Sequence, residues 1–246
     1  MSEKQNMDWR EKAKKLAALK AVKHIKNGFI LGIGSGTTVA YAIEEIGRLV
    51  NTGKLHVLGV PSSHQSYLLA LQCGIPMTTL GEHPQLDLTI DGVDQVDKNL
   101  NLIKGLGGAL TREKIISSVS KLNIRITDET KLTEKLGASH SVPIEILPFA
   151  YSLVKSRLTE IGGKSKLREG NGKIGPAITD NGNFILDVDF GPIENPKELD
   201  TKVKTTPGVI ETGLFINMAD IVYVGTRNGE VLMVKKPNDA VWPTNL

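Results

Sequence analysis

The run from Asp87 to Ile115 (DLTIDGVDQVDKNLNLIKGLGGALTREKI) leaves a chain little freedom in how it folds. Asp87 to Ile90 is short, apolar and alternating, the pattern of a strand that ends as Asp91-Gly92 begins. Asp91 and Asp94 stand just beyond it, Lys104 follows, a glycine-rich turn runs through Gly108, and Glu113 falls on a new helical pattern. In an open α/β sheet, groups just past a strand's carboxyl end face the crevice where ligands sit. Carboxylates there accept hydrogen bonds from hydroxyls. A lysine is a compact positive charge for a developing oxyanion, and Gly105, Gly107 and Gly108 let backbone amides approach a ligand. Glu113, held on a helix, is the candidate general base. Asp-Gly-x-Asp alone is ordinary turn composition, and Arg-Glu-Lys an ordinary helix start. A plain turn, however, has no use for acid, base, cation and open backbone in so short a stretch.

The residues before this run follow the same plan. Asp8 to Lys26 has the spacing of an amphipathic helix, its many lysines on a solvated face. Phe29 to Gly32 reads as a buried strand, and Gly34-Ser35-Gly36-Thr37-Thr38 leads from it into a helix through Gly47. A glycine loop feeding a helix N-terminus is an anion site, and Ser35, Thr37 and Thr38 add hydroxyl donors. A dinucleotide site would place its third glycine at position 37, which is threonine, and the strand Leu55 to Val60 ends without an acidic residue for a ribose. No Gly-Lys-Ser/Thr follows the loop, so it is not a nucleotide-triphosphate loop either. A sugar-phosphate cradle fits best. Ser62 or Ser63 is the expected N-cap of a helix reaching Gln72, and Leu122 to Thr127 is a further strand.

From Ser141 the pattern changes. Strands are expected at Val142 to Leu147, Lys164 to Arg168, Gly175 to Thr179, Asn183 to Phe190 and Val209 to Ile216, with helices at Ala150 to Ile161 and Pro196 to Lys204. Asp180-Asn181-Gly182 is a strong hairpin turn between the third and fourth of these strands. With the strand near Lys164 as an addition, the order approximates β-α-β-β-α-β, a ferredoxin-like α+β unit. Asp187 and Asp189 share one strand face and read as solvent-facing. Ala219 to Val224 and Val231 to Lys235 are two more strands, turned at Asn228-Gly229.

Composition sets outer bounds. At 246 residues and 40% hydrophobic, the chain can bury one large core or two modest ones. A net charge of +3 is too small to argue for a nucleic-acid partner. The single cysteine, Cys73, excludes an internal disulfide and fits a reducing compartment, the cytoplasm. No apolar run approaches membrane-spanning length, and the polar start Met1 to Gln5 carries neither signal nor anchor pattern. The five histidines lack the spacing of a metal cluster.

Asp91-Gly92-x-Asp94 followed by Leu102-Ile103-Lys104-Gly105-x-Gly107-Gly108-Ala109-Leu110-x-Arg112-Glu113-Lys114-Ile115 closely resembles the core motif of the ribose-5-phosphate isomerase A family. Val93, Gln95 and Leu106 depart from its commonest pattern. Asp128-Glu129-Thr130-Lys131 resembles a second family turn, with threonine for serine, and the similarity runs from Lys14 to Lys236. The resemblance implies an α/β fold, a Rossmann-like open twisted and mostly parallel sheet flanked by helices, with the smaller ferredoxin-like unit inserted. Residues 1–138 and 219–246 would form the discontinuous catalytic domain, and 139–218 the small one. It also implies an aldose–ketose isomerase of a five-carbon sugar phosphate, working without metal or organic cofactor as a homodimer or homotetramer. By the same match Glu113 shuttles the proton through an enediolate, and Asp91, Asp94 and Lys104 bind and polarise the sugar. Ser35, Gly36, Thr37, Thr38, Gly92, Val93, Gly105, Leu106, Gly107 and Lys131 complete the substrate site, and Lys14 is the helix lysine placed to help with phosphate. The competing reading is a non-catalytic sugar-phosphate sensor or another phosphosugar enzyme. A sensor would need the cradle but not the base, and would carry an output module that this sequence does not display.

Overall fold

The computed structural model describes residues 8–172 and 174–235; Met1 to Gln5 and Lys236 lie outside the described residues. Helix α1 (Trp9–Val22) turns Ala13, Ala17, Ala18 and Ala21 inward along one face, the four-residue spacing of a helical stripe. These small side chains let the helix sit almost on the sheet backbone. A Cβ at Gly225 would stand 2.1 Å from the Ala13 carbonyl. The helix stops four residues short of the expected Lys26, because His24 and Ile25 bond back to Ala21 and Val22 in a tightened turn. Ile25 still packs on the core, which is why the apolar spacing runs past the helix end.

Strand β1 (Ile30–Ile33), helix α2 (Thr37–Asn51), strand β2 (Leu58–Pro61), helix α3 (His64–Gln72) and strand β3 (Leu88–Gly92) follow. Ser63 caps α3 in a capping box with Ser66, as its position suggested. Short strands β4 (Gln95–Val96) and β5 (Leu102–Ile103) precede helix α4 (Leu110–Ser118) and strand β6 (Asn123–Asp128). Then come strand β7 (Val142–Ile146), helix α5 (Tyr151–Glu160), strands β8 (Lys164–Leu167) and β9 (Phe184–Asp189), helix α6 (Pro196–Lys204) and strand β10 (Val209–Thr212). Strands β11 (Leu214–Phe215), β12 (Ile221–Gly225) and β13 (Val231–Lys235) end the described chain.

Six strands form one sheet in the order β13-β12-β6-β3-β1-β2, all parallel except β13. Its central strands β3, β6 and β12 are buried at nearly every position, as a sheet covered on both faces requires, even where Asp91 and Arg125 interrupt the apolar residues. From β1 the chain crosses over α2 to β2 on one side and later returns to β3 on the other. The topological switch point therefore lies between β1 and β3, where a ligand crevice is expected.

The second sheet, β10-β7-β9-β8, is antiparallel throughout and has the ferredoxin-like order. Two details differ from the sequence reading. Gly175 to Thr179 is not a strand; it pairs with the chain after β8 through one isolated bridge, Glu169 to Pro176, with the Ala177 N–H donating to the Arg168 carbonyl. Glycine at 175 and a proline without an N–H at 176 weaken any ladder there, and β8 pairs with β9 instead. The strand expected over Val209 to Ile216 is broken at Gly213. Its first half joins the antiparallel sheet, and β11 pairs with β5 in a small third sheet, β11-β5-β4. Gly213 accepts from the Lys104 N–H and donates to Pro143, and a Cβ there would sit 2.4 Å from the Lys104 carbonyl. Among the described residues, no helix is long and apolar enough to cross a membrane.

Candidate active site

A cleft of about 720 Å³ opens at the carboxyl ends of β1 and β3, at the switch point. One wall is the loop between β1 and α2, a second the Gly105–Gly108 turn and the start of α4. The third comes from the antiparallel sheet, through Arg168 and the segment 177–180. Asp91, the next-to-last residue of β3, has no exposed surface. Its Oδ1 accepts from the amides of Gly92 at 2.7 Å and Ser35 at 3.3 Å, which ties the two loops together. Gly34 makes this approach possible. A Cβ there would lie 2.2 Å from Asp91 Oδ1 and 2.7 Å from its Cα.

Lys104, 3% exposed, reaches Asp91 Oδ2 at 2.9 Å and donates to the Gly92 carbonyl at 2.8 Å. It also stands 3.1 Å from Glu113 Oε2, a buried oxygen that meets no other donor among the described residues. Glu113 lies in the first turn of α4 and is 5% exposed. Burial, and then the neighbouring Asp91 charge, push its carboxyl up to about 7, against the opposing pull of Lys104. Burial works against the Lys104 ammonium too, but Asp91 and Glu113 outweigh it and hold its pKa above the usual lysine value. Glu113 thus titrates near neutrality beside a lysine that stays charged. That is the setting of a carboxylate able to take up and return a proton.

The loop between β1 and α2 supplies the anion side. Gly36, at φ 98°, precedes an α2 N-terminus that no side chain caps, which leaves first-turn amides of the helix for a ligand. The Gly36 N–H itself donates to Gln65 Oε1 at 3.1 Å. Ser35 Oγ is fixed by Ser62 at 2.7 Å and Ser63 at 2.6 Å. Thr37, Thr38, Lys14 and Lys131 line the same cleft, Lys14 while paired with Glu11 at 2.8 Å. On the other side Asp94 accepts from the Leu106 N–H at 2.9 Å. Gly92, Val93, Asp94, Gly105, Leu106 and Gly107 all line the cleft. The residues singled out in the sequence therefore converge on one cavity, with Asp91 buried directly behind it and bonded to Lys104.

Several supporting residues escaped the sequence reading. Arg125, fully buried on β6, stands 3.5 Å from Asp91 Oδ2 and donates to the Met218 carbonyl and Ser117 Oγ, each at 2.7 Å. Glu145, fully buried on β7, is satisfied by neutral donors alone. These are Thr111 at 2.5 Å, Asn183 at 2.8 Å, Thr179 at 2.9 Å and Asn181 at 3.0 Å. In both cases the available signal was a charged residue inside an apolar strand run, since such groups are rarely buried without partners. Asp187, expected to face solvent, is instead half-buried and bonded to Arg168; alternation along a strand says which residues share a face, not what covers it. Asp180 accepts from the His64 N–H at 2.7 Å, and Arg112 donates to Asn181 Oδ1 and the Asp180 carbonyl, each at 2.8 Å. The turn at 179–183 thereby ties the antiparallel sheet to α3 and α4. Among the described residues, no group of three or more His, Cys, Asp and Glu side chains is placed to hold a metal ion.

The site can be compared with known proteins. The family model of ribose 5-phosphate isomerase A (phosphoriboisomerase A) matches residues 58–229. A ribose-5-phosphate isomerase A of Pyrococcus abyssi is 46% identical over 89% of this chain and 96% of its own length. The human ribose-5-phosphate isomerase is 45% identical over 92% of this chain and 74% of its own. Among solved structures, a D-ribose-5-phosphate isomerase in complex with phospho-erythronic acid is 43% identical. It superposes with a TM-score of 0.90 over 92% of this chain and 99% of that one. The enzyme from Plasmodium falciparum, 44% identical, gives 0.88 over 92% of this chain and 99% of its own. A family match over most of the chain, relatives at this identity and the same fold agree: the chain belongs to the ribose 5-phosphate isomerase A family.

Proposed function

We propose that the interconversion of D-ribose 5-phosphate and D-ribulose 5-phosphate runs here through an enediolate, with Glu113 as the proton-shuttling base. The observation that carries this is the state of Glu113 itself. Its Oε2 is buried with no donor near it other than Lys104, and burial pushes the carboxyl up to about 7. The open-chain aldose binds with its phosphate on the uncapped α2 N-terminus, against Ser35, Gly36, Thr37 and Thr38, with Lys131 and Lys14 as counter-charges. Glu113 takes the proton from the carbon beside the carbonyl and returns it to the neighbouring carbon. As negative charge builds on the two oxygens, Lys104 and the amides of Gly105 and Gly107 stabilise it where it develops. Asp94 accepts from a sugar hydroxyl and Gly92 and Val93 complete the wall beside it, while Asp91, expected to bind the sugar but buried behind the cleft, holds Lys104 in place. Phospho-erythronic acid, bound to a related enzyme, supports this division of the cleft, since it joins a phosphate to a carboxylate that resembles the enediolate in charge.

The larger unit (residues 1–138 and 219–246) carries the base and the cradle in this reading, and the smaller (139–218) frames the cleft. We place the reaction in the cytoplasm, in keeping with the lone Cys73, and take the working form to be a homodimer or homotetramer, with light scattering as its measurement. The reaction is tested by turnover of ribose 5-phosphate in the presence of chelator, wild type against Glu113→Gln. Turnover in wild type that is lost in the variant is the expected result. A fully active variant would remove Glu113 from the base role.

A further inference from the structure

Arg168 follows β8 on the antiparallel sheet, yet its guanidinium lines the active-site cleft. Asp187 on β9 holds it from behind. Nε donates to Asp187 Oδ2 at 2.8 Å, and Nη2 bonds Asp187 Oδ1 in a forked pair. The remaining arm, Nη1, donates to two successive carbonyls of the glycine turn, Gly105 and Leu106, each at 2.9 Å. A trans peptide points its C=O and N–H in opposite directions. With both carbonyls drawn to Arg168, the N–H groups of Leu106 and Gly107 turn the other way. The first of them lands on Asp94 Oδ2. The peptide between Gly105 and Leu106 is thus strung between a cation outside the turn and a carboxylate inside the cleft. Gly105 itself is at φ 103°, a conformation that the turn must be held in.

We propose that Arg168 is a positioning residue for the isomerisation: through its fork it sets two peptide planes, one whose Leu106 N–H holds Asp94 and one whose Gly107 N–H meets the charge of the enediolate. The inference rests on the amide role argued under Proposed function. A lysine cannot replace it, because an ammonium is a point charge without the planar fork that reaches Asp187 and both carbonyls at once. The phosphate cradle, on the opposite wall, is not touched by this contact.

The experiment compares wild type, Arg168→Lys and Asp187→Asn. For each, kcat and KM are measured with ribose 5-phosphate, the inhibition constant with phospho-erythronic acid, and folding by circular dichroism and thermal melting. For Arg168→Lys we expect kcat to fall about 10- to 100-fold, the scale of a misplaced catalytic group, with KM changed by less than about 3-fold because the phosphate anchor is intact. The inhibition constant should weaken by a similar factor to kcat. Asp187→Asn should move the same quantities the same way, but less. A folded Arg168→Lys with wild-type kcat and inhibition constant overturns the proposal. So does a fall in kcat without weaker inhibition, which a merely structural loss would give. Should Arg168→Lys fail to fold, Asp187→Asn decides alone: parallel losses support the proposal and unchanged constants overturn it. If wild type binds phospho-erythronic acid no better than the sugar phosphate, the amide role fails and the inference with it, a failure visible without any variant.

Discussion

Lys104 Nζ sits 3.1 Å from Glu113 Oε2 and 2.9 Å from Asp91 Oδ2, so one buried ammonium serves two buried carboxylates. One cation cannot fully compensate both. Asp91 also has Arg125 and two backbone amides. Glu113 has Lys104 alone, and burial pushes its carboxyl upward.

The rate should follow from that. Glu113 acts as a base only when ionised, so kcat/KM should fall as pH drops through about 7, tending to tenfold per pH unit on the acid side. A pH profile of kcat/KM reads this directly. An acid limb near the ordinary glutamate value would mean that burial does not set this group.

Stability should respond with the opposite sign. Glu113 binds its proton more tightly folded than unfolded, so ionising it costs the folded state. That cost grows as pH rises from the usual carboxyl range to about 7 and is constant above. Glu113→Gln removes it. In urea unfolding the variant should match wild type at about pH 4, below the ordinary glutamate value, and exceed it by about 1–3 kcal/mol at about pH 8, while turnover falls roughly 100- to 10,000-fold. Equal or lower stability of the variant at pH 8 would contradict the assignment.

Lys104→Met retains much of the side-chain volume and deletes the charge. It removes the opposing pull on Glu113, so the acid limb of the residual activity should move to higher pH. Breaking a buried pair of this kind should lower stability by about 3–5 kcal/mol near neutrality. An unmoved limb in a folded variant would show that Lys104 does not tune the base.

Gly34 and Gly36 make a controlled comparison. At Gly34 an added methyl meets Asp91 at 2.2 Å, whereas at Gly36 nothing lies within 4 Å and the obstacle is only the φ of 98°. Gly36→Ala should cost about 1–2 kcal/mol through backbone strain. Gly34→Ala should cost more and also displace Asp91, with kcat falling well beyond that of Gly36→Ala. Equal effects on kcat would argue that Asp91 is not held in place from Gly34.

Glu145→Gln tests the network behind α4. An amide replaces one acceptor oxygen with a donor facing Thr and Asn groups, leaving buried donors unpaired at about 1–3 kcal/mol. Urea unfolding measures it. A neutral result would show that Thr111 and the 179–183 turn find other partners.

Local chemistry was legible along the chain. The turn at Gly34 and Gly36, the serine cap at Ser63 and the helix start that carries Glu113 all act through near neighbours, and each stands where its pattern placed it, while the strand expected from Leu55 begins at Leu58. The reach of α1 past Val22, the strand at Gly175 to Thr179 and the unbroken strand to Ile216 were misread. Those outcomes depend on which backbone lies alongside. Only the tertiary structure decided that Arg125 stands behind Asp91, that Glu145 bridges α4 to a distant turn, and that Arg168 holds the glycine loop. Sequence order specifies residue type and local geometry. The protonation of Glu113 and the setting of its neighbouring amides depend on burial and on charges brought from far along the chain, and these exist only once the two sheets have met.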